Sequence, residues 1–409
     1  MLLLSTVRWP SVARLAHGFA HAGCAVEALA PSGAAILASR YLVRAYSYRA
    51  LRPQHSLQEA ITRAGPDLAI CCDERALSHL LVLYNGRAAD RAVRELVERS
   101  LGNPAAVPRL ISRNGFLAEA RGEGIAVPDT LPVTTENELD AVLGALGFPV
   151  VLKSDGSWGG EGVAVVRNRA QAHAAFARLA FPPSPLRSMA RALKRRDLNY
   201  LHEAFGAPRR MVSAQRFVPG APAASAFAAW QGEIVAAIYY DVLIAEGTVG
   251  PPSVIRRTDC PQIADATRIV ARRFGLSGIH GMDFIRDASG VAQLIEINPR
   301  ATQGSTLAFG KGRDLPAGLA GRLRPDASAR PAIADDVVAF FPREWKRDPL
   351  SSWLRSAHHD VPWDDPGVLY ASLGRKVRRP RKLSRASAGR GRANSSLIHT
   401  SSQNPGTAG

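Results

Sequence analysis

Apolar positions fall in short blocks whose period changes along the chain. Leu2-Leu3-Leu4 is a continuous run of strand length, residues 11–22 place apolar side chains at helical spacing, Gly23 stops that helix, and residues 26–29 resume as a strand. The segment Pro66-Asp67-Leu68-Ala69-Ile70-Cys71-Cys72 supplies a later strand of the same kind. Residues 1–105 are therefore expected to form an open α/β domain with a mainly parallel sheet. No GxGxxG follows the first strand, so a dinucleotide site is not expected there.

Gly102-Asn103-Pro104 marks a boundary, after which Ser112 is placed to cap a helix running through Ala120, and Pro128 and Pro132 lie in an extended connector. Beyond it the pattern alternates strands and turns: 150–153, 163–166, 212–218, 234–242, 279–286 and 291–297. That density of hairpins predicts an α+β second domain over 106–325, with residues 326–372 as a C-terminal extension. Residues 182–210 form a basic insertion, with Arg187, Arg191, Lys194, Arg195 and Arg196 around Leu186, Met189 and Leu193. It reads as a solvated helix or as a basic lid near a polyanionic ligand.

At 409 residues, 46% hydrophobic and 21% charged, the chain has apolar material for two or three domains. The formal charge of +17 raises nucleic acid or an anionic surface as a partner. Much of it is local: Arg375, Lys376, Arg378, Arg379, Arg381, Lys382, Arg385, Arg390 and Arg392 fall in one run without an acid. Residues 373–409 read as a disordered basic tail, and no aromatic residues interleave with its charges, so nucleic acid is not an expected partner. Arg8 and Pro10 interrupt the N-terminal apolar run before a signal-peptide core, and no stretch reaches the ~18 apolar residues of a membrane span. Neither a leader nor a membrane partner is expected. Cys24, Cys71, Cys72 and Cys260 show no CxxC spacing and read as buried thiols in a reducing compartment, which places the protein in the cytoplasm.

Two segments carry candidate chemistry. The strand Val150-Val151-Leu152-Lys153 leads into a loop containing Gly156, Gly159, Gly160 and Gly162, and a second strand follows. Such a loop lets backbone N–H groups approach phosphate oxygens, and Lys153 can neutralise charge beside it. No Gly-Lys-Ser/Thr follows and no helix begins there, which argues against a P-loop NTPase. Residues 279–298 read as a hairpin with Asp287-Ala288-Ser289-Gly290 as its turn. That register sets Asp283 against Leu294, puts Glu296 diagonal to Asp283, and brings Asp283, Glu296 and Asn298 onto one face. A bulge at Gly290 would shift the pairing near the turn. Two carboxylates and an amide oxygen make a hard-oxygen cluster suited to Mg²⁺, and Arg300 beyond them offers a fork of donors to phosphate or carboxylate.

These motifs, in this order, resemble the ATP-grasp superfamily: Leu152-Lys153 with the glycine loop, Asp283-Phe284, and Leu294-Ile295-Glu296-Ile297-Asn298-Pro299-Arg300. The likeness covers about residues 1–320 and is nearest to the biotin carboxylase and carbamoyl phosphate synthase branch with its carboxylate–amine ligase relatives. It implies a pre-ATP-grasp domain followed by a two-subdomain grasp, with ATP and Mg²⁺ (or Mn²⁺) as cofactors. The implied activity is an ADP-forming ligase that activates a small carboxylate as an acyl phosphate for attack by an amine or another nucleophile. An ATP-grasp kinase acting on a hydroxyl and a non-catalytic nucleotide- or nucleic-acid-binding protein stay open as alternatives.

By motif, Lys153 would contact the α- and β-phosphates under the glycine loop. Asp283, Glu296 and Asn298 would hold the metal, and Arg300 would stabilise the transferred group. Gln215-Arg216-Phe217-Val218 would be the hinge strand, where the backbone at Arg216 and Val218 would read the adenine edge. Arg113 stands near the family's first lysine, and Gln215-Arg216 stand where the family carries an acid for the ribose. The oligomeric state is open.

Overall fold

Four strands form the first sheet: β1 Leu2–Leu4, β2 Val26–Ala30, β3 Leu42–Ser47 and β4 Ala69–Cys71. They are all parallel, in the order β3-β2-β1-β4. Every residue of β1 is buried, as a central parallel strand covered on both faces requires. The helix Pro10–His21 begins with Pro at its first turn, buries Val12, Leu15, Ala16 and Phe19 against the sheet, and ends before Gly23 at φ 81°. The open parallel sheet expected from the sequence is thus present, with β3 an addition to it. The computed structural model describes residues 1–86, 89–155, 162–181, 184–195, 197–200, 210–247 and 250–375, and Met1–Val377 form one unit. The expected disordered tail lies outside the described residues from 376 onward.

A second sheet is antiparallel: β5 Thr130–Val133, β6 Val150–Ser154, β7 Val163–Val166 and β8 Val212–Arg216, in the order β5-β8-β6-β7. The helices Glu136–Leu146 and Arg169–Ala180 cover one face through Leu139, Leu143, Phe176 and Leu179. The first of these helices starts with a capping box between Thr135 and Glu138. The connector expected around Pro132 is the edge strand β5, where a missing N–H is tolerated.

The third sheet has seven strands: β9 Gly220–Trp230, β10 Glu233–Ala245, β11 Pro252–Arg257, β12 Gly278–Asp287, β13 Ala292–Asn298, β14 Val337–Ala339 and β15 His358–His359. Their order is β13-β12-β9-β10-β11-β14-β15. Its interior strand β9 is alanine-rich. Ala224, Ala226 and Ala228 face the core shared with Val12 and Phe19, while Ala223, Phe227 and Ala229 face the core under helix Pro261–Phe274. The small side chains let two layers approach one strand from both sides. Gly102 joins the end of helix Arg91–Leu101 to the turn before β12, where a Cβ would lie 1.9 Å from the Gly275 carbonyl oxygen.

Two expectations need correction. Ser112 occupies the N-cap position of helix Arg113–Gly122, but its side chain makes no capping bond; its carbonyl accepts from the Phe116 N–H at 2.8 Å. The β12–β13 register also differs, since Asp283 stands directly opposite Glu296 and Phe284 opposite Leu294. The pairing is displaced by one residue at the turn, where Gly290 has φ 83° and Arg286 stands opposite Ala292, and by a second at Ile295, the extra residue in the middle of β13.

Candidate functional site

The Ile295 bulge shapes the acidic wall. With the one-residue shift at the turn, it moves Glu296 from a diagonal position to one facing Asp283, bringing two carboxylates together on the same side of the hairpin. Asn298 donates from Nδ2 to Asp283 Oδ2 at 2.9 Å and accepts at Oδ1 from Arg300 Nη2 at 3.1 Å. Burial and the neighbouring Glu296 hold the Asp283 carboxyl well above the usual carboxylate range. For Glu296 burial acts in the same direction, but Arg113 and Lys153 outweigh it and hold that carboxyl below its ordinary value.

The opposite wall is cationic. Lys153, at the end of β6, is 4% exposed, with Nζ 3.9 Å from Glu296 Oε2 and 3.5 Å from the Ile295 carbonyl oxygen. Burial pushes its ammonium down to about 8, against the pull of Glu296. Arg113 donates from Nη2 to Glu296 Oε2 at 3.1 Å and from Nη1 to the Ser154 carbonyl at 3.0 Å, with Asp155 Oδ1 at 3.5 Å. The helix starting at Arg113 therefore ties the second sheet to the acidic hairpin.

Arg300 closes the network on the side of the first sheet. Its Nε and Nη2 donate to Glu74 Oε1 at 2.8 and 2.6 Å, and its Cζ lies 5.3 Å from the centre of the Trp9 ring. Glu74 opens the helix that follows β4, capped by Asp73, whose side chain accepts from the Ala76 N–H. Sequence reasoning missed Trp9, Glu74 and Asp155. A signal existed for Glu74, because ligands gather at the carboxyl ends of parallel strands and Glu74 stands three residues past the end of β4.

One cavity of about 930 Å³ is lined by Arg113, Lys153, Gln215, Arg216, Phe217, Val218, Asp283, Glu296, Asn298 and Arg300, all anticipated from the sequence, together with Trp9 and Glu74. Gly162 is described but is not among the lining residues; its carbonyl accepts from the Ser154 N–H at 2.9 Å. Gly156, Gly159 and Gly160 lie outside the described residues. At the hinge, Gln215 donates to Thr130 Oγ1 at 3.1 Å, and the Arg216 guanidinium is held by Asp129 Oδ2 at 3.1 Å and the Leu146 carbonyl at 2.9 Å. The Arg216 backbone N–H donates to the Asp129 carbonyl at 2.8 Å, so that amide is already occupied.

The donor set fits a magnesium ion. Among the described residues no group of three or more His, Cys, Asp or Glu side chains is placed to hold a metal. Mg²⁺ typically takes one or two carboxylates and completes its shell with substrate phosphates and water. Asp283 and Glu296, facing each other with repulsion that a dication would relieve, meet that requirement. His280 is a packing residue: it is buried, with Nε2 2.8 Å from the Ser277 carbonyl and its ring 5.4 Å from that of Phe227.

Comparison with solved structures agrees with this architecture. The biotin carboxylase domain of Hydrogenobacter thermophilus 2-oxoglutarate carboxylase, solved with MgADP, ADP and bicarbonate, superposes with a TM-score of 0.56 at 14% identity over 80% of this chain and 72% of that one. Staphylococcus aureus N5-carboxyaminoimidazole synthetase with ADP gives 0.55 at 12% identity over 81% and 78%. The L-amino acid ligase of Bacillus licheniformis gives 0.50 at 14% over 79% and 73%. No protein-family model matches the sequence, and no curated protein does. The chain has the ATP-grasp fold.

Proposed function

We propose that the protein is an ADP-forming ligase that activates a carboxylate with MgATP and passes the acyl group to an amine or a related nucleophile. The observation that carries this reading is the facing of two walls in one cavity: Lys153 and Arg113 on one side, Asp283, Glu296 and Asn298 on the other. Neighbours of the same fold solved with ADP or MgADP support a nucleotide in that cavity.

In this reading Lys153 and Arg113 neutralise the phosphate chain, and Phe217 and Val218 border the adenine. Asp283, Glu296 and Asn298 would hold Mg²⁺, which when bound supplies charge neutralisation at the β- and γ-phosphates. An oxygen of the substrate carboxylate attacks the γ-phosphorus, the bond to the bridging oxygen breaks, and ADP leaves. The nucleophile's nitrogen then attacks the acyl carbon, the C–O bond to phosphate breaks, phosphate departs, and the surplus proton passes to solvent. Positioning and charge stabilisation drive such transfers, so no nucleophilic Ser or Cys is needed. Arg300, steadied by Glu74 and Asn298, would stabilise the acyl phosphate.

The test is ADP release across a panel of amino acids, peptides and small carboxylic acids, with and without Mg²⁺ and with hydroxylamine added. Carboxylate-dependent ADP release with hydroxamate formation supports the reading. ADP release with a stable phosphate ester and no hydroxamate would instead make the protein a kinase.

A further inference from the structure

We propose that helix Pro185–Arg195 is a docking ridge for an anionic lipid surface. It lies in the basic insertion, and neither a simple solvated helix nor a lid over the cavity accounts for what it exposes. Leu186 and Leu193 are each 76% exposed and Met189 is 51% exposed. At about 100° per residue, Leu186, Met189, Ala190 and Leu193 share one arc, and Arg187, Arg191 and Lys194 the arc beside it. Ser188 and Ala192 fall on the remaining side and are buried. The helix carries no acidic residue.

The roots of the insertion fix the ridge relative to the rest of the protein. Asn199 Oδ1 accepts from the Tyr48 hydroxyl at 2.8 Å, and Asp197 lies 3.6 Å from Arg75, so the stretch just past the helix is tied to the first sheet's domain. The N-terminal root is tied at Ala180, whose carbonyl accepts from the Arg210 N–H at 2.9 Å. Phe181 and Met211, at the ends of the insertion, and Leu198 within it are also exposed.

Charge and shape select the occupant. Three large apolar side chains beside a cationic strip suit the boundary between acyl chains and acidic headgroups. The exposed arc of one helix is convex, a shape that meets a flat surface and does not enclose a peptide. Eleven residues make about 16 Å of helix, half a bilayer core, so the helix would lie in the interface and not cross it. Stable peripheral binding takes two signals, and the sequence supplies a second in the nine basic residues between 375 and 392. This revises the expectation of no membrane partner, which rested on the absence of a spanning segment.

The experiment is co-sedimentation of the full-length protein with vesicles of phosphatidylcholine alone and of phosphatidylcholine mixed with phosphatidylglycerol. Polyglutamate and single-stranded DNA serve as soluble polyanion competitors. The expected result is partition at least about tenfold stronger onto the mixed vesicles. The pair Leu186→Asp with Leu193→Asp should lower that partition about tenfold, and Arg187→Glu with Arg191→Glu should do the same, while both variants keep the wild-type circular dichroism spectrum and ATP affinity. A chain ending at Arg375 should keep a weaker but measurable preference for the mixed vesicles. Wild-type protein that stays in the supernatant, leucine variants that bind as tightly as wild type, or binding abolished wholly by DNA or polyglutamate would each overturn the proposal.

Discussion

Arg300 and Glu74 meet across the boundary between the third sheet and the first, with Nη2 of the arginine 2.6 Å from Oε1 of the glutamate. The same guanidinium reaches Asn298 at 3.1 Å. The side chain proposed to stabilise the transferred group is thus aimed by the first residue of the helix that follows β4. Glu74→Gln should reduce turnover roughly tenfold to a hundredfold while leaving the KM for ATP little changed, because in the proposed reading the nucleotide would lie against Lys153 and Arg113. Steady-state kinetics on the substrate found by the ADP panel checks this, and a change confined to the KM for ATP would count against it.

Glu296→Gln removes an oxygen proposed to hold the metal and the charge that Lys153 and Arg113 face. ATP turnover should fall at least about a thousandfold. The fold should survive, since the change also relieves the repulsion on buried Asp283. Circular dichroism with a thermal scan separates lost chemistry from lost structure; undiminished turnover would refute the metal role.

The hairpin that carries these acids was legible because its alternating positions and polar turn are local signals, and the strand that ends in Lys153 was legible for the same reason. Strand β9 was not. Its Gly220-Ala221-Pro222-Ala223-Ala224-Ser225-Ala226 start lacks the β-branched and aromatic residues that mark strands, because packing on both faces demands small side chains. The position of the bulge was hidden as well, since nothing in Leu294-Ile295-Glu296 announces an extra residue. Trp9 and Glu74 reach the site only through the docking of one sheet against another, a long-range relationship that local spacing does not encode.

Buried His280 gives the stability a pH dependence of known sign. Burial lowers its native value to about 4 from 6.5, with the Ser277 carbonyl opposing the shift. Between those values the unfolded chain holds a proton that the native chain refuses, so stability is full above about 6.5 and declines as pH falls toward 4. The decline should amount to roughly 3 kcal/mol across the window. His280→Gln should flatten that part of the profile in urea unfolding, whatever it does to the absolute stability.

Gly102 is required by close approach as well as by its φ of 80°. An alanine there would place Cβ 1.9 Å from the Gly275 carbonyl oxygen and 2.7 Å from the Ser277 nitrogen. Gly102→Ala should cost about 3 kcal/mol or more. Gly65→Ala, also left-handed at φ 50° but with nothing within 4 Å, should cost only about 1 kcal/mol. Chemical denaturation of the two variants side by side tests the contrast.

Calorimetric titration of ATP into the wild-type protein and into Asp283→Asn with Glu296→Gln, each with and without Mg²⁺, addresses the cavity directly. The account predicts wild-type binding strengthened by Mg²⁺ and a double variant whose residual binding is indifferent to the metal. Equal Mg²⁺-dependent binding by both proteins would contradict it.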